Sequence, residues 1–202
     1  MKIALKLVLL VIIIGLGYMV IESIMEPVRF NKQKDIREDA VIQKLEDIRA
    51  AELAYKAVNG NYMSNWDTLI GFIKNAEFPI IKEVADPNDT TNSIVIRDTI
   101  GFIPVTESLY RHRTAFNPDH LKFVPIPKEY FANETFSLNS GSIERGGLPV
   151  YVFECKTPYT TMLKGLDNQL IINLKKRVEE MNKYAGLKVG SLEEASTEGN
   201  WK

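Results

Sequence analysis

Residues 7–21 read LVLLVIIIGLGYMVI, an unbroken run of apolar residues and glycine near the start of a 202-residue chain. Extended outwards to Ile3 and Met25, the run is long enough to cross a bilayer, because a spanning helix needs about 20 mainly apolar residues. Glycine weakens helices in water but is common in membrane helices. The sequence therefore predicts a transmembrane anchor. The span residues that we expect to contact lipid or a neighbouring helix are Leu7, Leu10, Ile14, Gly15, Gly17 and Ile21.

A cleaved secretory signal peptide is the main alternative. Lys2 and Lys6 would form its basic start, residues 7–14 its apolar part, and Gly15-Leu16-Gly17 a small-x-small cleavage site. The residues after Gly17 remain apolar, however, which is unusual for the start of a mature protein. A buried helix of a soluble domain is a third interpretation. We favour a retained anchor, with the lipid bilayer as its first partner.

The charges that flank the apolar run bear on its orientation. Lys2, Lys6 and the free amino group favour a cytoplasmic N-terminus, because positively charged residues tend to stay on the cytoplasmic side. Four more basic residues follow the run and weaken this preference: Arg29, Lys32, Lys34 and Arg37. We expect a single-pass protein of the cell membrane with a cytoplasmic N-terminus and an ectodomain outside, either periplasmic or extracellular.

Two residues mark the outer end of the run. Glu22 is the ionisable residue at the apolar border. Acids inside membranes are often functional, but the closeness of Glu26 favours an interfacial, structural position for Glu22. Pro27 lies inside a helical pattern, where proline kinks a helix without always ending it. We therefore predict an interfacial acid at Glu22 and a helix kink at Pro27.

An amphipathic helix continues beyond the proline. Its apolar positions recur every three or four residues, as on one face of an α-helix, and we call them the packing stripe: Val41, Leu45, Ile48, Ala51, Tyr55 and Val58. Asn59-Gly60 supplies the stop. A helix of roughly 55 residues would be about 80 Å long, so its first half must protrude from any compact domain. The chain therefore divides into an anchor at 1–26, a connecting helix at 27–60 and an ectodomain at 61–202, and the stripe is expected to pack against the sheet of its own domain.

The second half of the chain is expected to be β-rich. Residues 64–67 read SNWD, an N-cap signature for a short helix that ends near 74–75. Short runs between prolines predict an antiparallel sheet with strands at 93–97, 101–105, 121–126, 135–138 and 149–155. A helix from Pro158 to Gly186, an edge strand at 187–192 and a tail that is loosely held apart from Trp201 complete the chain. The predicted fold class is α+β: a transmembrane helix that continues into an amphipathic helix, an antiparallel sheet packed on it, and a late C-terminal helix.

The composition argues against several classes of function. The 25 Lys and Arg balance 26 Asp and Glu without a basic block, so we expect no nucleic-acid partner. One cysteine excludes an intramolecular disulfide and a Cys-based zinc site, and two histidines cannot build a three-His metal centre. His112 and His120 have no obvious third ligand nearby. Cys155 ends an apolar strand, where a buried inert thiol is expected. We predict no catalytic residue, no metal site and no cofactor.

The end of the stripe helix carries a family resemblance. Residues 45–55 read LEDIRAAELAY, residues 59–62 read NGNY and residues 66–69 read WDTL. This order is similar to that of type IV pilins and type II secretion pseudopilins, as is the closing GNW at 199–201. The resemblance covers about residues 5–75. It implies an apolar N-terminal helix that continues into an amphipathic half, a pilin-like ectodomain, and assembly through helix packing.

One feature of that family is placed differently in this chain. Family members are cleaved after a glycine that is followed by an aromatic residue and a glutamate, and the apolar run comes after the glutamate. Residues 17–22 read GYMVIE, but here the apolar run precedes them. If Pro27 sets the register, the family's glutamate falls near Leu10, where no acid is present. Peptidase processing and pairing of this glutamate between subunits are therefore not expected.

These observations favour a non-enzymatic membrane protein that acts as a structural or assembly component of an envelope filament or secretion-type machine. Its partners would be protein partners or further copies, bound through the N-terminal helix. The alternative is a membrane-tethered binding module, in which the proline-rich loops between residues 79 and 149 recognise a ligand or partner. An enzyme is the third class, and no constellation in the sequence supports it.

Overall fold

The computed structural model describes residues 2–85, 95–127 and 133–201. It confirms the predicted α+β class, with one long N-terminal helix, two small antiparallel sheets and later helices. In chain order the elements are α1 (Lys2–Asn59), α2 (Trp66–Asn75), β1 (Glu77–Ala85), β2 (Val95–Pro104), α3 (Val105–Tyr110), a 3-10 helix (Pro118–His120), β3 (Ser137–Arg145), β4 (Leu148–Pro158), α4 (Tyr159–Met162), α5 (Asn168–Glu180) and β5 (Gly186–Gly190).

Helix α1 is continuous over 58 residues, which corresponds to a length of about 87 Å. Pro27 lies inside it, and the helix continues to Asn59. The end is sharp because Gly60 adopts a left-handed backbone conformation, with φ at 82°. The Gly60 N–H donates to the Lys56 carbonyl at 2.8 Å, so the last turn of the helix is closed.

The larger sheet has the strand order β3-β4-β5, with both strand pairs antiparallel. Gly146 and Gly147, both with positive φ, form the turn between β3 and β4. The outer edge of β5 is covered by the C-terminal tail, because the Asn200 side chain accepts from the Lys188 N–H at 3.0 Å and donates to the Gly186 carbonyl at 2.9 Å. The tail is therefore held against β5, and the expectation of a loose tail was wrong.

The smaller sheet is a two-stranded ribbon of β1 and β2, which we call the β1–β2 ribbon. The strands pair antiparallel from Glu77 opposite Pro104 to Ala85 opposite Val95, with a register shift between Ile80 and Ile81. The sequence predicted two separate strands in the region of β2 and none at β1. Of the predicted strand at 93–97, residues 93 and 94 lie outside the described residues.

The core lies between the second half of α1 and the three-stranded sheet. Leu45 and Ile48 on α1, Phe153 on β4 and Val189 on β5 are all fully buried. Burial of each such side chain stabilises the fold by about 1.5–3 kcal/mol relative to exposure. Helix α2 adds the fully buried Leu69 to the same cluster.

Two predicted elements differ from the structure. The single helix expected from Pro158 to Gly186 is two helices, because β4 runs to Pro158 and Gly165 breaks the chain with φ at 87°. Helix α5 then restarts at Asp167, whose side chain caps it by accepting from the Leu170 N–H at 2.8 Å. The strand expected at 121–126 is an irregular segment with a single bridge to Thr135.

Candidate functional site: the apolar helix and its junction with the folded domain

The first half of α1 exposes its apolar side chains along its whole length. Every large apolar residue from Leu7 to Ile24 is at least 51% exposed. Around Gly15 and Gly17, no other described part of the chain, apart from the backbone of the helix itself, lies within 4 Å of the position a Cβ would take. Such a large apolar surface is unfavourable in water. Helix α1 is long and apolar enough near the N-terminus to cross a membrane, as expected of a membrane protein.

The border of the apolar segment carries one ion pair. Arg29 donates to both carboxylate oxygens of Glu22, at 2.8 and 3.2 Å, along the same helix. Val28 is still 54% exposed, whereas Phe30 is 8% exposed and belongs to the core of the folded domain. The folded domain therefore first covers α1 at Phe30, three residues after Pro27, and the next buried position is Arg37.

The folded domain is hydrogen-bonded to α1 close to this border. Arg37 is buried, and its guanidinium donates to the carbonyls of Met162 and Lys164 at 3.3 and 2.8 Å. These carbonyls lie at the C-terminal end of α4, where the last carbonyl groups of a helix have no hydrogen-bond donor within the helix. A shallow cavity at the same level is lined by Arg29 and Phe30 on one side and by the turn that contains Gly165 on the other.

The packing stripe enters the core along most of its length. Its buried members are Val41, Leu45, Ile48, Ala51 and Tyr55. Val58 differs, since it is 57% exposed. It lies in the last turn of α1, next to Gly60, where the chain turns away towards α2. The stripe therefore packs inside its own domain and ends one helical turn earlier than its spacing predicted.

A carboxyl group lies inside this core. Glu52 on α1 is fully buried, and its Oε2 accepts the Met63 N–H at 3.0 Å. Its Oε1 has no hydrogen-bond partner among the described residues. Burial raises the pKa of Glu52 to about 7, against which the Met63 N–H acts only in part. Cys155 is also fully buried, and burial followed by the nearby carboxyl of Glu52 raises its pKa well above the usual range. The burial of this thiol agrees with the sequence-based expectation of a buried cysteine.

Two further carboxylates, those of Asp47 and Glu154, form ion pairs that connect different parts of the folded domain. Asp47 on α1 accepts from Arg113 at 2.8 and 3.1 Å, and its backbone carbonyl accepts the Tyr110 hydroxyl at 2.8 Å. Burial raises the pKa of Asp47, although Arg113 opposes the change. Glu154 on β4 is bound by Lys156 at 2.5 Å and by Lys188 at 3.3 Å. Burial alone would raise the pKa of Glu154, but these lysines outweigh it and lower the pKa.

The two histidines lie apart from any metal-type grouping. In the described ranges, no three His, Cys, Asp or Glu side chains come together in a way that could hold a metal ion. His112 follows α3 and is exposed. His120 ends the 3-10 helix, where its carbonyl accepts from Lys44 and its ring meets Phe123 edge-on at 6.4 Å.

Several contacts were not anticipated from the sequence, yet their signal was present. Arg37 lies four residues before Val41, and Glu52 lies four residues after Ile48, so both continue the helical spacing of the buried face. Phe30 lies seven residues, or two helical turns, before Arg37. Counting only apolar residues left out the charged Arg37 and Glu52, and without Arg37 the spacing did not extend back to Phe30. The β1–β2 ribbon had no clear signal, because Pro79 lies inside β1.

Comparison with protein-family models, with curated proteins and with solved structures finds no match. The geometry of the helix, its junction and its surfaces is therefore the basis for a functional proposal.

Proposed function

We propose that this chain is a non-enzymatic, single-pass membrane protein that serves as a structural or assembly component of an envelope filament or secretion-type machine. Its N-terminus would be cytoplasmic and its folded domain outside, with a pilin-like arrangement of a long helix packed on an antiparallel sheet. Assembly would proceed by packing of the apolar helices of neighbouring copies.

The continuity between the anchor and the core carries this proposal. The helix that exposes Leu7 to Ile24 is the same helix whose Leu45 and Ile48 are fully buried in the folded domain. A tether for a binding module needs only a flexible linker, rich in glycine, serine or proline. Here the helix is unbroken and Arg37 fixes the domain to it. Such a rigid coupling holds the domain at a set position relative to the helix, which suits a subunit that packs beside others.

Gly15 and Gly17 provide the place where neighbouring helices would approach most closely. Without side chains, glycine residues let two helix backbones come near each other in a membrane. Both positions are open on the isolated chain. The two residues are not at the four-residue spacing of the common small-x-x-x-small motif, so the contact would be formed by a short patch rather than a long groove.

The experiment is to purify the full-length chain in mild detergent and to examine its oligomers by light scattering and electron microscopy. We expect ordered oligomers or filaments. A G15I/G17I variant should lose them, while a matched L16I variant in the same turn should keep them. Intact-mass measurement of the membrane-extracted chain shows whether the anchor is retained. A mature chain that begins at Tyr18, or a monomer that binds a partner equally well without its apolar helix, would contradict the proposal.

A further inference from the structure

The β1–β2 ribbon is the least covered part of the folded domain. Within the described ranges, β1 pairs only with β2, so both outer edges of the ribbon lack a strand partner, while helices α2 and α3 contact parts of it. Ile80, Ile81, Val84, Ile100 and Phe102 are between 41% and 65% exposed. An isolated two-stranded sheet is marginally stable in water and needs a further strand or a packed face. Beyond its contacts with α2 and α3, the ribbon therefore exposes an apolar surface whose burial by a partner would stabilise it.

One ribbon face is complementary to itself. Residues opposite each other in the ladder share a face, and alternate residues of β1 lie on that same face. Ile80 lies opposite Gly101, and Lys82 opposite Asp98. We call the surface made by these residues and Val84 the Lys82 face.

The charges on the Lys82 face have no ion-pair partner among the described residues. Among the described residues, neither Lys82 nor Asp98 forms a salt bridge, although both are exposed and lie directly opposite each other. On the other face, by contrast, Glu83 and Arg97 form an ion pair at 2.9 Å. The Lys82 face thus carries one positive and one negative charge without partners.

We propose that the Lys82 face binds the same face of a second copy of this chain. A two-fold rotation about an axis parallel to the strands places Lys82 of each copy over Asp98 of the other. The same rotation places the Ile80 side chain of each copy over the other copy's Gly101, which has no side chain to obstruct it. A two-fold interface uses one patch on both partners, so this pairing of charge with charge and of large with small is what it requires.

A lipid surface fits the ribbon less well. Charged residues lie in the middle of both faces, and the two strands together carry three acids and two bases. Anionic headgroups attract clusters of basic residues, which the strands lack. The contact between ribbons is small, so its stability rests on the proposed anchoring of both copies in one membrane. Two copies held in the same membrane meet at high effective concentration, so a modest interface is sufficient.

The test is cross-linking between two differently tagged full-length chains in lipid vesicles. One chain carries Ile80→Cys and the other Gly101→Cys, and a short bismaleimide joins them. The native Cys155 is fully buried, so we expect it not to react in the folded chain. The matched control pair is Ile81→Cys with Thr99→Cys. These two residues lie opposite each other on the face of the ribbon that points away from the Lys82 face. We expect a yield at least tenfold higher for the first pair.

Charge exchange makes the test specific. With Lys82→Glu added to both chains, or Asp98→Lys added to both, like charges meet and the yield should fall at least tenfold. With Lys82→Glu on one chain and Asp98→Lys on the other, opposite charges meet again and the yield should recover. Recovery requires folded ribbons, so it also excludes misfolding as the cause of the loss.

Three results would overturn the inference: equal yields for the two cysteine pairs, single-charge variants that cross-link normally, or a mixture that fails to recover. Carbonate extraction of the same vesicles reports membrane anchoring separately. Chains that remain anchored but fail to cross-link would refute the ribbon contact alone, whereas chains that are extracted would refute the proposed anchor.

Discussion

The buried carboxyl of Glu52 should make the folded domain less stable as the pH rises through neutrality. Burial raises its pKa from 4.5 to about 7, so the folded state binds more protons than the unfolded state between these values. The contribution of Glu52 to stability is then most favourable below pH 4.5, falls as the pH rises towards 7, and is constant above it. A shift of this size corresponds to about 3 kcal/mol, at about 1.4 kcal/mol for each pKa unit.

The perturbation is Glu52→Gln. Its amide oxygen retains an acceptor for the Met63 N–H, and its NH₂ group replaces the oxygen that lacks a partner. The variant therefore resembles the protonated carboxyl at every pH. We expect equal stability near pH 4.5 and a gain of about 3 kcal/mol at pH 8, or roughly 6–12 °C in Tm for a domain of this size.

The assay is thermal unfolding of the full-length chain in detergent between pH 4.5 and 8, followed by the fluorescence of Trp66 and Trp201. Subtraction of the variant curve from the wild-type curve removes every other titrating group. Glu46→Gln is the matched control, because Glu46 lies exposed on the same helix and its substitution removes one carboxyl without touching the core. If wild type and Glu52→Gln respond to pH in parallel, the carboxyl does not titrate in this window and the reasoning from burial is wrong.

Other predictions concern the elements around this core. Ile48→Ala should destabilise the domain by about 2–5 kcal/mol because it leaves a cavity at a fully buried site, whereas Leu53→Ala, at a 41% exposed site, should cost much less; urea unfolding compares the two. Asn65→Ala should cost about 1 kcal/mol in the same measurement, because the Asn65 side chain caps α2 by accepting from the Asp67 and Thr68 N–H groups. The lowered pKa of Glu154 means that its ionised carboxylate stabilises the fold above about pH 4.5, and that this contribution is lost as the pH falls through the folded-state pKa. Wild type should therefore lose stability on acidification below about pH 4.5, and Glu154→Gln should not show this loss. Acid unfolding curves of both proteins test the prediction.

The long helix could be predicted because a single physical rule acts over its whole length. Apolar runs and three-to-four spacing determine which side of a helix is buried, and the rule held from Val41 to Tyr55. It failed at Val58 because burial at a helix end depends on where the chain goes next. It also failed at Glu52, where a charged residue occupies a core position that only the surrounding packing reveals.

The β-rich half could be predicted only in part because its strands depend on partners distant in sequence. Pro79 argued against a strand at β1, yet β1 pairs with β2 along a ribbon that is open on both sides, where a missing N–H is tolerated. The apolar spacing on either side of Gly165 is in phase, so it predicted one helix. Only the backbone turn at Gly165 and the Asp167 cap separate α4 from α5.

The position of the core along α1 also determines which surfaces a partner could reach. Phe30, the first core residue, lies two positions after the exposed Val28, so the turn around Gly165 and the start of α5 lie next to the apolar segment. If that segment spans a bilayer, this end of the domain faces the headgroups and is closed to large partners. Asp47, whose backbone carbonyl accepts the hydroxyl of Tyr110 in α3, lies 17 residues after Phe30, or about 25 Å along the helix. The β1–β2 ribbon leads directly into α3. If the segment spans a bilayer, the attachment point of the ribbon therefore lies clear of the membrane surface, at a height that is the same for every anchored copy.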